Sequence, residues 1–412
     1  ADSPHVVTSA LDVVGATLTI EPCAVVRVKE GFTISFGGGN PGDPAAKLVA
    51  HGTFDGTTRR PVIVTSDDET KYWGTLAFAK TGSADLEQVI LRHAGNPSTI
   101  AQNLGGALMI MGDSNGKAPT PTVRAKSLLI DGSASLGINI QRSGGFTPDS
   151  EDVSVQNSGN RSPMANPDTT YPVYVQTPSV QTIPPGSYAG NLRDAILVHN
   201  PSNLDGDETF HDRGVPYRIR DGFSISPSKS VADGGLATLT IDPGVTLKLL
   251  KAPGNDWGIG LGASNGDLQE NIWATRLIAA GTSDKPILIT SDADVPAPGD
   301  WSGIHWHGGP ATGNVMNHVT VDYAGGRSLT ERFGCGPVSN DAALIFANWN
   351  PRETFIHSCT FAHSRGGAIV SGWHSDSGPN LRSDNMFLDI AIACEVSEPV
   401  PTAGCPDSEL CY

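Results

Sequence analysis

Eleven histidines lie along the chain, and a group of them makes its clearest chemical pattern. His305 and His307 flank Trp306, and His318 precedes Asp322 in HVTVD. On a strand, residues two apart point to the same face. His305 and His307 therefore share one outer face, with Ile304 and Trp306 turned inward. His318, Thr320 and Asp322 share another, with Val319, Val321 and Tyr323 inside. Imidazole and carboxylate ligands from neighbouring strands suit a divalent transition metal such as zinc or copper. His305, His307, His318 and Asp322 are therefore the candidate metal ligands. His363 closes a similar run and reads as a corner residue. Trp301, Trp306 and Trp349, with Trp373 beyond them, are candidates for stacking on a sugar ring. Two acidic turns, Asp67-Asp68-Glu69 and Asp205 to Glu208, are candidate calcium sites, without the spacing of a known calcium loop.

The elements that must position these residues are written twice. ATLTIEPCAVVRV at 16–28 returns as ATLTIDPGVTLKL at 237–249. The block from Leu48 (LVAHGTFDGTTRRPVIVTSDD) returns from Leu277 (LIAAGTSDKPILITSDAD). YWGTLAFAKTG from Tyr72 matches DWSGIHWHGGP from Asp300, and EQVILRHAG from Glu87 matches NHVTVDYAG from Asn317. Such self-similarity is the signature of a repeat architecture. The intervals between blocks gain and lose a few residues, as exposed loops between rigid strands do. Where the second copy has His305, His307, His318 and Asp322, the first has Ala77, Ala79, Gln88 and Arg92, so a metal site would belong to the second copy alone.

Within a copy, short runs such as Leu239 to Ile241, Leu247 to Leu249, Ile287 to Ile289 and Leu344 to Phe346 have strand character, β-branched or aromatic, and many such runs alternate in and out. That period argues for half-buried strands. Gly, Pro, Asp and Asn stop each run after a few residues, and no stretch has helical periodicity. The expected interior comprises Leu18, Ile20, Val26, Val28, Leu239, Ile241, Leu247 and Leu249, with Thr19, Arg27, Thr240 and Lys248 outside. A β-sandwich competes as an all-β reading, but it needs no pair of long matched copies.

The pattern LTIxPGVxLKL, then AxGTxxxPIxITS, GDWxGIxW and HVTVxYAGG resembles the repeat of bacterial extracellular right-handed parallel β-helix proteins of pectate-lyase-like fold. Val215-Pro216-Tyr217 introduces the second copy as such a segment does in that family, and Ser3-Pro4-His5 holds the place before the first. Cys23 departs from the pattern where the second copy has Gly244. The resemblance implies an all-β right-handed parallel β-helix with two tandem copies. The expected divisions are residues 1–160 and 215–393 for the copies, a loop-rich connection over 161–214 and a cysteine-containing tail over 394–412. The repeat is of the non-catalytic type and brings no catalytic residue, so function must be argued from sites. Lyases of this fold class use a basic residue, often beside calcium, and hydrolases use convergent carboxylates. Arg27 and Lys248 sit in the repeated motif and read as structural, while Asp131, Asp152 and Asp322 form no close pair in sequence.

The 412 residues carry 27 Lys and Arg against 43 Asp and Glu, a net charge of −16. That balance repels a nucleic-acid backbone or an anionic membrane surface. No apolar run reaches the length of a membrane span. Six cysteines suit an exported protein held by disulfides, and Cys394, Cys405 and Cys411 are the candidates for a bridge in the tail. Cys359 stands where the first copy has Leu128 and reads as a buried thiol or an internal bridge. The expected function is that of a secreted or bacterial cell-surface protein, its signal peptide removed, with a structural, adhesive or glycan-binding role. Its partners would be glycans or other surface proteins. The alternatives are a polysaccharide lyase or glycoside hydrolase working in an outer-face groove, and a metal-binding surface protein.

Overall fold

The computed structural model of the protein describes residues 3–96, 105–113, 119–159, 167–199, 204–227, 229, 233, 235–250, 258–262, 274–328, 341–347, 349–371, 378–397 and 411. Two compact units divide the chain, residues 1–198 with 213–215 and residues 199–212 with 216–412. Both are built almost wholly of short parallel strands. The antiparallel exception among the described strands is the small hairpin of Thr53–Phe54 with Arg59–Arg60.

In the second unit, successive strands fall in turn into three parallel sheets. Ala237–Ile241, Thr275–Ala280 and Val315–Asn317 lie in the first, Thr246–Leu249, Ile287–Ser291 and Val319–Asp322 in the second, and Ile259–Leu261, Ile304–Trp306 and Ala342–Phe346 in the third. Three successive strands, one per sheet, make a rung. Parallel neighbours need a crossover between them, and here the other two strands of the rung supply it. The first unit has the same order, with Thr17–Ile20, Val25–Val28 and Ile34–Phe36 followed by Ala46–His51, Val62–Ser66 and Leu76–Phe78. Its first two sheets are continuous because Gly82–Arg92 and Thr120–Asp131 run through the corner between them. This arrangement is that of a parallel β solenoid-like fold.

Register puts like side chains on top of one another. Tyr217, Leu247, Ile289, Val321 and Phe361 form one inward column of the second unit. Phe36, Phe78, Ile110, Ile140 and Val175 form one in the first, all with 0% exposure. Aromatic members stack, with ring centroids 5.3 Å apart for Phe36 and Phe78 and 5.1 Å for Trp306 and Phe346. The expected orientation holds at Val26, Val28, Leu239, Ile241, Leu247 and Leu249, all buried. Leu18 and Ile20 are only half-buried.

The corners are equally periodic. Gln88, Ser127 and Asp152 in the first unit, and His318 and Ser358 in the second, take φ near +50° where the first sheet turns into the second. His93, Tyr323 and His363 do so after the second sheet. One left-handed residue turns a strand without a loop, at a conformational cost that Asn, Asp and His tolerate best. His363 is thus the corner residue expected. Tyr323 is a correction: it lies at the corner instead of inside, its ring stacked 4.7 Å from that of His363.

Two further departures come from packing. The third sheet is covered on both faces: its outward residues Ala77, Met109, Asn139 and Tyr174 in the first unit, and His305, Ile345 and Val370 in the second, are all buried. The segment 161–214 is not just a connection. Within it Val173–Gln176 pairs in parallel with Ile138–Gln141, and Glu208–Phe210 pairs with Ala237–Ile241. The Pro- and Thr-rich composition around Val173–Gln176 conceals that strand.

One ion pair reaches past a rung. The Arg218 guanidinium bonds the Asp292 carboxylate, with Nε donating at 2.6 Å, although Thr246–Leu249 lies between their strands. Its carboxylate is only 5% exposed.

A Leu247→Asp substitution would place an uncompensated charge in the inward column and cost several kcal/mol. The expected outcome is loss of the cooperative denaturant transition, while Lys248→Gln on the outer face keeps it.

Candidate functional site

His305 lies between Gly260 and Ile345 in register on the third sheet and is 6% exposed. Its Nε2 stands 3.0 Å from the Ser302 carbonyl, to which it can donate a proton. Burial holds its pKa below the usual histidine range, so the neutral form is favoured. His307 follows that strand, half-buried, its ring edge-on to His305 at 5.9 Å. The expectation of two exposed histidines on one outer face is corrected here, because the outer face of this sheet is packed.

His318 and Asp322 belong elsewhere in the rung. His318 is the corner residue before the second sheet, and Asp322 ends the strand that follows. The Asp322 carboxylate bonds His363 Nδ1 at 2.8 Å from the next rung, and His363 Nε2 lies 3.5 Å from Asp389. The structure therefore brings His305 to His307 and Asp322 to His363, and does not bring the four candidates together. Among the described residues no group of three or more His, Cys, Asp or Glu side chains is placed to hold a metal ion.

The tryptophans divide likewise. Trp306 is wholly buried and Trp301 is 2% exposed, so neither presents a face to a sugar. The Trp301 indole donates to the Asp322 carbonyl at 2.9 Å, and the Trp73 indole donates to the Arg92 carbonyl at 2.8 Å. The shared tryptophan is thus a pin closing the same corner in each unit. Trp349 is half-buried, and Trp373 falls outside the described residues.

Carboxylates on the outer surface are engaged with neighbouring rungs. Arg124 bonds Asp85 at 2.6 Å and Asp149 at 2.9 Å, and Lys126 lies 3.1 Å from Glu151. Partial burial alone would raise the Asp85 pKa, but its bonds from Arg124 and His51 bring it below the usual carboxylate range. Asp131 accepts from Asn157 at 2.9 Å, and Asp152 from Ser127 at 2.7 Å. These two aspartates mark opposite ends of the second sheet, on the order of 13 Å apart along the strand. A glycosidase pair needs about 5–9.5 Å. In the acidic turns, Asp68 accepts from the Thr70 amide at 2.9 Å and Asp207 from the Thr238 amide at 2.7 Å, while Glu208 is fully buried.

In the tail, Cys394 and Cys411 form a disulfide, with Cα atoms 5.4 Å apart. Cys405 falls outside the described residues. Cys359 is a buried free thiol, its pKa pushed up to about 11 by burial.

An apolar cavity of about 410 Å³ lies in the first unit, lined by His5, Val7, Leu11, Leu18, Ile20 and Phe36 among others. The sequence places Leu18 and Ile20 in the interior and gives His5 only as part of the segment that introduces the first copy; the partial exposure of Leu18 and Ile20 marks the cavity. No protein-family model, curated protein or solved structure matches the chain.

The burial of neutral His305 has a pH signature. Its folded-state pKa lies below the unfolded value, so its contribution to stability is present above about pH 6.5 and is lost as the pH falls. Denaturant midpoints of the wild type should drop more between pH 7.5 and pH 5 than those of His305→Gln.

Proposed function

We propose that the protein is an exported bacterial surface protein, a right-handed parallel β-helix of two tandem copies with a structural or adhesive role. The observation that carries this reading is how the two units use their shared residues. What repeats between them fills inward columns and pins corners, as Trp73 and Trp301 do. Part of what differs between them, such as Arg92 against Asp322, lies outside and bonds neighbouring rungs, as Asp322 bonds His363. A scaffold that presents a variable surface fits that division of labour. The Cys394–Cys411 disulfide favours export, because such bonds persist in oxidising compartments. The net charge of −16 disfavours nucleic acid as the partner, and no described helix is long and apolar enough to cross a membrane. Glycans or other surface proteins remain the proposed partners. The hydrolase alternative loses support from the separation of Asp131 and Asp152.

Glycan-array binding run together with assays for unsaturated products and new reducing ends tests the reading. Retention of a glycan or a surface protein without turnover is expected, and release of either product would replace this reading with the carbohydrate-active one. Intact-mass analysis should show cysteines that become alkylated only after reduction, and their absence would remove the case for export.

A further inference from the structure

The outer face of the first sheet in the first unit carries its charge in rows. Val49 and His51, then Asp85 and Glu87, then Arg124 and Lys126 lie in register on the strands Ala46–His51, Gly82–Arg92 and Thr120–Asp131. Glu151 follows Lys126 in register, and Asp149 accepts from Arg124 at 2.9 Å. Successive rungs therefore present a row with a histidine, a row of two acids, a row of two bases and a second row of two acids. The face is open to solvent, with the Glu87 and Lys126 side chains 45% and 31% exposed. The fold does not require these charges. Where the first unit has Val49, His51, Asp85 and Glu87, the second has Ile278, Ala280, Val315 and Asn317 in the same register.

This order of rows is complementary to itself. Consider two such faces related by a twofold axis that runs parallel to the strands, level with the gap between the first acidic row and the basic row. The axis reverses the order of the rungs and keeps each column opposite itself. Asp85 then stands opposite Arg124 of the second copy and Glu87 opposite Lys126, and each pair occurs twice because a twofold interface is isologous. Val49 and His51 meet Asp149 and Glu151, so no like charges are opposed. A twofold axis along the stack would instead set acid on acid and base on base, which repulsion disfavours. Packed sheets stand about 10 Å apart, a gap that Arg, Lys and Glu side chains can reach across from both sides. Asp85 and Arg124 already hold each other at 2.6 Å, so they have less side-chain freedom left to lose on association.

We propose that this charged face is a docking surface for a second copy of the chain, which binds with its stack antiparallel to the first. Its four rungs span only about 14 Å along the stack, so the contact is small and the association weak. Charge complementarity of this kind fixes orientation and partner choice more than affinity. The inference goes beyond the surface role proposed above and depends on neither export nor glycan binding.

The test is sedimentation equilibrium of the full chain up to about 1 mM, where even a weak dimer is populated. A monomer–dimer equilibrium is expected that weakens as salt is raised, because exposed charges are screened. Glu87→Lys and Lys126→Glu should each be monomeric, since each sets like charges opposite one another twice. An equal mixture of the two variants should associate again, because Lys at 87 of one chain then meets Glu at 126 of the other and the reciprocal wild-type pair is intact. That rescue also shows that both variants fold. A measurement on the unaltered chain stands beside it: carboxyl-to-amine cross-linking of a mixture of light and heavy-isotope chains should join Glu87 of one label to Lys126 of the other. A monomer at every concentration, a dimer indifferent to both substitutions, or a mixture that stays monomeric overturns the proposal, as does the absence of mixed-label cross-links.

Discussion

A rung of three short strands cannot bury its own apolar face, so each one depends on the next lying over it in register. Everything else in the structure follows from that stacking. A one-residue slip would turn Leu247 outward and Lys248 into the column that Tyr217, Ile289 and Val321 complete. Each fully buried aliphatic side chain is worth about 1.5–3 kcal/mol relative to exposure. Register is therefore fixed by many small terms acting together, and the corners must turn at the same place in every rung. Left-handed residues such as Gln88, Ser127 and Asp152 stand above one another for that reason.

The outer faces answer to the same periodicity. Side chains on neighbouring rungs are a strand spacing apart, so an acid in one rung meets a base in the next, as Asp85 meets Arg124 and Asp322 meets His363. Exposed pairs of this kind contribute up to about 1 kcal/mol each. Their effect is to hold side chains in place and to neutralise the charges locally. The net acidity of the chain is thus spread over a surface whose nearest charges alternate.

The strands and their inward faces were legible in the sequence because the pleat has a period of two, and hydrophobic residues reveal it directly. The tandem copies were legible because rung stacking demands the same residue class at each level. Three things were not. Burial of His305 depends on packing against the outer face of the third sheet, which no local pattern announces. The pairing of Asp322 with His363 depends on the rung spacing, and the sequence distance between rungs is set by loops of irregular length. The strand Val173–Gln176 sits amid Pro and Thr, so its composition argued for a loop while its V-Y-V alternation pointed the other way.

The contact from Arg218 to Asp292 changes how the second unit comes apart. A stack held by nearest-neighbour terms alone can be described as a chain of independent links, each rung leaving after the one beyond it. A guanidinium that bypasses Thr246–Leu249 to grip the carboxylate beyond it adds a link of longer range. Removing the intervening rung would then strand a nearly buried charge, at about 3–5 kcal/mol. The strands Tyr217–Arg220, Thr246–Leu249 and Ile287–Ser291 become one cooperative block, a place where an unzipping front must stall and then cross three levels in a single step.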